Sequence, residues 1–96
     1  MTYSLRYLDL ALQDISDIKE YMSRFYEGTW TRFADKMQHD ISLLSDNPLM
    51  CEKWQYDGNY RRMVIEEYLV FYKVETTTEL CQFTGFCMAL GIFNIF

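Results

Sequence analysis

The chain has 96 residues, half of them apolar, and a formal net charge of −5. This length supports one modest core, so residues 1–96 are predicted to form a single domain. The richness in Tyr and Phe indicates a globular rather than a disordered chain. The acidic balance weighs against broad, nonspecific nucleic-acid binding, which depends on many phosphate contacts, but it leaves room for a small local basic site.

The residues that most often bind metals do not form a ligand set in this sequence. The cysteines are Cys51, Cys81 and Cys87, an odd number without CxxC spacing. Free thiols in a reducing compartment explain them better than disulfides or zinc. His39 is the only histidine and its helical neighbours are not ligands, so neither a metal nor another cofactor is expected. Residues 1–10 show no apolar run or cleavage pattern, which predicts a cytoplasmic protein.

The N-terminal part predicts a strand followed by a helix. Residues 3–8 alternate weakly between apolar and polar side chains, as a strand would. Asp9 is a good N-cap candidate and places the start of the helix. The apolar residues that recur at helical spacing are Leu12, Ile15, Ile18, Met22 and Phe25. Gly28 then separates this helix from the next one.

The second helix has the clearest period in the chain. Its apolar residues, Trp30, Phe33, Ala34, Met37, Ile41 and Leu44, follow the 3.6-residue repeat. Asn47-Pro48 ends the helix, because proline cannot continue it and restrains the preceding residue. An apolar stripe at this spacing is typical of a core, and we do not interpret it as a cofactor site.

Residues 60–74, YRRMVIEEYLVFYKV, predict a β-hairpin. Its first strand would turn Met63 to one face of the sheet and Arg62 to the other. Residues 66–67 are two glutamates, which are poor strand formers and mark the reversal. Residues 68–74 are nearly all apolar, as in a strand covered on both faces. The segment before the hairpin is ambiguous, with a short strand as one interpretation.

The order strand, helix, helix and three strands predicts an α+β fold, β-α-α-β-β-β. A two-helix hairpin would pack on one face of a mainly antiparallel sheet. The first strand must then return beside a later one to be stabilised. The basic residues Lys53, Arg61, Arg62 and Lys73 fall in this second half, whereas acidic residues crowd the helices. They are either a solvated strand face or a set of phosphate-binding cations on a rigid strand.

This order, the Asn47-Pro48 stop and the hairpin together resemble the RelE/ParE superfamily of bacterial toxins, the toxin halves of type II toxin–antitoxin pairs. The resemblance extends to about Glu79. It rests mainly on the hairpin, which has an aromatic-Arg start, a short acidic turn, and then Tyr-x-x-x-Tyr with a basic residue. The resemblance implies an antitoxin protein as partner, which wraps such toxins with a helix or strand.

The resemblance implies two different activities. Some members cut messenger RNA on the ribosome with cationic and acid/base side chains and without a metal, and others poison DNA gyrase. In the ribonuclease case Arg61, Arg62 and Lys53 would be the catalytic residues that stabilise a phosphorane-like state. Leu69 stands where ribonuclease members often carry an arginine. We expect ribosome-associated mRNA cleavage, with gyrase inhibition and a non-enzymatic partner-binding module as alternatives.

Residues 80–96 form an atypical tail, in which no charged residue follows Glu79. The family pattern ends in an aromatic, Arg, Leu, His, Gly signature instead. Read one nucleotide earlier, the codons of residues 83–93 are compatible with Tyr-Arg-x-Leu-His-Gly. Our hypothesis is a toxin frameshifted after about Phe83, with little or no toxicity in this form because the arginine and histidine are missing.

The tail also carries structural expectations. Residues 83–88 are expected to pair as an edge strand, since ladder hydrogen bonds use only backbone groups. The apolar end should favour self-association. A membrane anchor is disfavoured, because the stretch is short of the ~20 apolar residues that a spanning helix needs and contains polar residues and glycines.

Overall fold

The computed structural model describes residues 2–25 and 27–88. Its elements are β1 (Ser4–Tyr7), α1 (Asp9–Ser23), α2 (Thr29–Ser42), a 3-10 turn (Leu43–Ser45), β2 (Lys53–Trp54), β3 (Asp57–Ile65), β4 (Tyr68–Glu75) and β5 (Leu80–Met88). This confirms the predicted α+β order. The ambiguous segment before the hairpin supplies the two residues of β2 and the start of β3. No helix among these residues has the length and apolar character needed to cross a bilayer.

The five strands form one sheet in the order β1-β5-β4-β3-β2. β1 runs parallel to β5, with Ser4 opposite Leu80, and the other three pairs are antiparallel. The two helices carry the chain back across one face, so that β1 pairs with the outer side of β5 along residues 80–83. Within the described part of the chain, residues 84–88 have β4 as a strand neighbour on one side only, so the expectation of an edge strand is confirmed there, whereas Phe83 still pairs with Tyr7 of β1.

Both helices pack on one face of the sheet and form a single core with it. α2 contributes Phe33, Met37 and Ile41, as its periodicity predicted. The stripe predicted for α1 is partly wrong, because Leu12 is half exposed whereas Ala11 is fully buried. The face of α1 that packs on the sheet is therefore not the face that the large apolar side chains predicted.

Tail residues 81, 83 and 86 belong to this core. Self-association through residues 80–96 stays a prediction, and residues 89–96 lie outside the described part of the chain.

A β-bulge in β5 ties the sheet to α1. Phe71 pairs with Gly85 and the next residue of β4 pairs with Phe83, which leaves Thr84 as the extra residue. The Phe86 N–H donates a hydrogen bond of 3.0 Å to Oδ2 of Asp14 in α1. A β-carbon on Gly85 would lie 3.4 Å from the same oxygen, so glycine lets the carboxylate approach.

Asp14→Ala is therefore expected to lower the free energy of unfolding by about 1–3 kcal/mol, because it leaves the Phe86 N–H without its acceptor. Asp17→Ala is the matched control, since Asp17 accepts only a surface hydrogen bond from Gln13. Urea unfolding of both variants measures the difference. Equal losses in the two variants would show that the bulge does not depend on Asp14.

The hairpin turn is fastened to α2 by an ion pair. Glu66 has a left-handed φ of 55°, and both of its carboxylate oxygens accept hydrogen bonds of 2.9 Å from Nη1 of Arg32. Residues 66–67 form the predicted reversal. An exposed pair of this kind stabilises the fold only weakly, but it fixes where the turn lies relative to the helices.

Candidate functional site

The sheet face opposite the two helices, which we call the open face, carries the candidate site. Side chains alternate along β3 and β4, and Met63 and Val70 pair with each other on the helix side. Arg62 and Phe71, the neighbouring pair, therefore lie on the open face. The sequence predicted this alternation for Met63 and Arg62, and the burial along β3 confirms it.

A groove of about 590 Å³ crosses the open face. Its lining residues come from separate parts of the chain and are Leu8, Leu10, Trp54, Asp57, Tyr60, Phe71, Thr84 and Gly85. The bulge of β5 forms its floor, and Leu10, 74% exposed, stands at one end. Large, exposed apolar side chains around a concave surface are typical of sites that bind a partner.

Aromatic side chains build the other end of the groove. The Trp54 ring meets Phe71 edge-on with centroids 5.1 Å apart, and meets Tyr56 in the same way at 5.0 Å. Trp54 belongs to β2, which has only two residues and a register shift between them. The indole is thus held by ring contacts more than by its strand.

Two cations lie over aromatic faces beside the groove. The guanidinium carbon of Arg62 is 5.7 Å from the Trp54 ring centroid, and Lys73 Nζ is 4.6 Å from that of Tyr60. Arg62 also lies 3.7 Å from a carboxylate oxygen of Glu52. Such cation–π pairs hold positive charge close to an apolar surface, where a partner meets both together.

Arg61 has a different environment from Arg62. Its Nη1 donates a hydrogen bond of 2.6 Å to the Cys51 carbonyl and a longer one of 3.5 Å to that of Leu49. Arg61 pairs with Tyr72 of β4, on the side of the sheet that the helices cover. Its charge is therefore directed at the backbone of the loop that precedes β2.

Tyr72 is fully buried beside this arginine. Its hydroxyl donates a hydrogen bond of 3.0 Å to the Pro48 carbonyl. Burial, followed by a hydrogen bond with Cys51, raises the pKa of the Tyr72 phenol well above its ordinary value, while Arg61 acts in the opposite direction. The phenol therefore stays protonated, and able to donate, across the neutral pH range.

The structure brings the three predicted catalytic residues to neighbouring positions of the sheet but divides them between its faces. Lys53 pairs with Arg61 and is exposed, whereas Arg62 lies on the open face. Leu69, at the position of the ribonuclease arginine, is fully buried between strand neighbours. Within residues 2–25 and 27–88, no three His, Cys, Asp or Glu side chains are grouped so that they could hold a metal ion.

The groove itself was missed by the sequence analysis. Trp54 lies within the ambiguous segment and Tyr60 opens the predicted hairpin, and these aromatic residues were the available signal. The turn between β2 and β3 is at residues 55–56, whereas an Asp57-Gly58 pair would predict it two residues later. The contribution of Leu8 and Leu10 could not be found, because it depends on where β1 ends relative to the bulge.

The fold, with two helices on one face of a five-stranded sheet, is shared with structures of several bacterial toxin–antitoxin systems. The chain is similar to the chromosomal ParDE system of P. aeruginosa, at 11% identity over 91% of this chain and 96% of the other, with a TM-score of 0.76. It is also similar to the E. coli DinJ–YafQ complex, at 17% identity over 95% and 98% of the two chains, with a TM-score of 0.67. The RelBE2 complex from Mycobacterium tuberculosis matches at 12% identity over 92% and 99%, with a TM-score of 0.66.

The sequence places the chain within this class. A model of the family described as ParE toxin of type II toxin-antitoxin system, parDE, matches residues 5–81. The chain therefore belongs to the ParE toxin family and is the toxin of a type II toxin–antitoxin system. No curated protein matches it significantly. The family match ends at residue 81, close to the start of the atypical tail.

Proposed function

We propose that this toxin inhibits DNA gyrase by binding it through the open-face groove. The observation that carries the proposal is the groove, whose apolar and aromatic lining suits a protein surface. Trp and Tyr, which flank it, are enriched among the residues that dominate binding energies at protein interfaces. Membership of the ParE family supports the same target class, through the gyrase poisoning that the resemblance implies.

The contacts of the arginines also favour binding over cleavage. Arg61 donates to backbone carbonyls and Arg62 lies over an indole ring, so both are engaged within the protein. Arg62 and Lys73 then supply positive charge beside an apolar groove, which steers and orients an acidic partner surface. The cognate antitoxin is proposed to oppose this binding.

Ribosome-associated mRNA cleavage is the second candidate. The pairs of Arg62 with Trp54 and of Lys73 with Tyr60 favour it, because an aromatic face can stack on a base while a cation meets the phosphate. In this case Arg61, Arg62 and Lys53 would carry the reaction. We also keep the hypothesis that residues after about Phe83 are a frameshift product, which would lower activity for either target.

Parallel assays with purified gyrase and with translating ribosomes distinguish the two activities. The chain and a frame-restored version are titrated into a supercoiling assay and, in parallel, into ribosomes translating a defined mRNA. We expect inhibition of supercoiling, with the frame-restored chain active at lower concentration. Cleavage of the mRNA without any effect on gyrase would overturn the proposal in favour of the second candidate.

The groove is tested in the more active of these two proteins. Trp54→Ala removes the aromatic end of the groove and is expected to weaken gyrase inhibition at least ~10-fold, as loss of an interface anchor does. Phe25→Ala is the matched control, because Phe25 is 58% exposed near the end of the helical hairpin. Equal potency of the two variants would place the binding surface elsewhere.

A further inference from the structure

We propose that Arg61 is a positioning residue, which together with Tyr72 clamps residues 48–51 and thereby sets the position of Trp54 at the end of the groove. The functional consequence, weaker target binding when the clamp is lost, rests on the proposed function. The effect on Trp54 does not, and it can be measured in the isolated toxin.

The clamp consists of two strand side chains that grip one short stretch of backbone. Tyr72 binds the carbonyl of Pro48 at 3.0 Å, and Arg61 binds those of Cys51 and Leu49 at 2.6 and 3.5 Å. A guanidinium bonds more strongly to its acceptor than a neutral donor does. Three carbonyls within four residues are thus fixed to β3 and β4.

Trp54 depends on this clamp because few other contacts hold the preceding loop to the sheet. The 3-10 turn ends at Ser45 and β2 begins only at Lys53, so the loop between them has no ladder of its own. Two backbone hydrogen bonds, from Asn47 to Leu43 at 3.0 Å and from Met50 to Asn47 at 3.2 Å, belong to local turns, whereas the Glu52 carbonyl accepts a hydrogen bond of 3.1 Å from the Arg62 N–H of β3. A shift of residues 48–51 would therefore move Trp54 as well, because Trp54 is only three residues after Cys51.

The two adjacent arginines differ in how they act on the indole. Arg62 touches the Trp54 ring directly from the open face, whereas Arg61 acts on the backbone from the other side. If Arg61 is catalytic, its substitution lowers the activity of the toxin and leaves the position of Trp54 unchanged. If Arg61 is a positioning residue, its substitution lowers the activity and also changes the surroundings of the Trp54 indole.

The test uses Trp54 as its own reporter. The sequence contains two tryptophans, so in a Trp30→Phe background all tryptophan fluorescence comes from Trp54. In that background Arg61→Met is expected to raise the quenching constant of Trp54 by acrylamide, an uncharged quencher, at least ~2-fold, because the loop carbonyls lose their donor. Arg61→Lys retains one charged donor and should restore part of the protection.

Arg6→Met is the matched control, since Arg6 is exposed on β1 at the far edge of the sheet. It is expected to leave the quenching unchanged. Circular dichroism identifies which variants are folded, and if Arg61→Met unfolds, the decision passes to Arg61→Lys. If Arg61→Met is folded and its quenching constant equals that of its parent, the proposal is overturned. If only Arg61→Lys is folded, the same equality for that variant overturns it.

Supercoiling assays of the same variants separate this inference from the proposed function. Weakened inhibition together with raised quenching, both partly rescued by lysine, supports the clamp and its consequence. If none of the proteins inhibits gyrase, the proposed function fails, while the quenching result still decides whether Arg61 positions Trp54.

Discussion

Phe83→Ala is expected to lower the free energy of unfolding by about 3–5 kcal/mol. The side chain is fully buried, stacks on Tyr7 with ring centroids 4.9 Å apart and lies 5.8 Å from the Tyr72 ring. Alanine would leave a cavity between β1, β4 and the helices that rigid neighbouring strands cannot fill. Since small domains have a total stability of about 5–15 kcal/mol, this loss would unfold a marginal protein.

Urea denaturation of Phe83→Ala beside Phe25→Ala measures the effect with the chemistry of the substitution held constant. Phe25 is 58% exposed, and its truncation is expected to cost far less. The comparison also tests whether the atypical tail contributes to the fold. Similar losses in the two variants would mean that residue 83 is not part of the core.

A second large effect is expected in alkaline solution. Burial raises the pKa of Tyr72, and burial followed by the charges of Tyr21 and Glu67 raises that of Tyr68, above the ordinary value of 10.0. The folded state thus binds protons that the unfolded state releases. This contribution is complete below pH 10 and is lost as pH rises above it, at about 1.4 kcal/mol per pH unit for each group.

Urea unfolding at about pH 8 and about pH 11 tests whether the free energy of unfolding falls as the pH rises. Tyr72→Phe should cost about 1 kcal/mol at the lower pH, where it loses the hydrogen bond to Pro48, and should make the alkaline loss less steep. Tyr56→Phe, at a tyrosine that is 54% exposed, is the control and should change the slope less than Tyr72→Phe does. A wild-type stability that is constant between the two pH values would contradict the prediction.

The sequence predicted what depends on local pattern. The 3.6-residue repeat located α2, and the alternation around two glutamates located the hairpin and correctly separated Met63 from Arg62. In α1 the pattern was less reliable, because Ala11 occupies the most buried position and a small side chain gives a weak signal. Leu12, which looks like a core residue, points partly into solvent.

Features that combine distant segments could not be predicted. Nothing in residues 80–83 indicates that they have strand neighbours on both sides, because that depends on the return of β1 across the sheet. The groove likewise draws on the end of β1, on β2 and on a bulge. The phosphate-binding interpretation of Arg61 considered its charge alone, and its hydrogen bonds could not be predicted because the loop carbonyls come within reach only in the folded chain.

The position of β5 has a consequence for the order in which the protein is made. The strand that joins β1 to the rest of the sheet is the last of the five described strands to be synthesised, so Ser4 gains its pairing partner only when Leu80 has been made. A nascent chain that stops before residue 80 has its hairpin but lacks β5, the strand that lies between β4 and β1. The ribosome must therefore synthesise residues 80–83 before the strands of the sheet can all be joined.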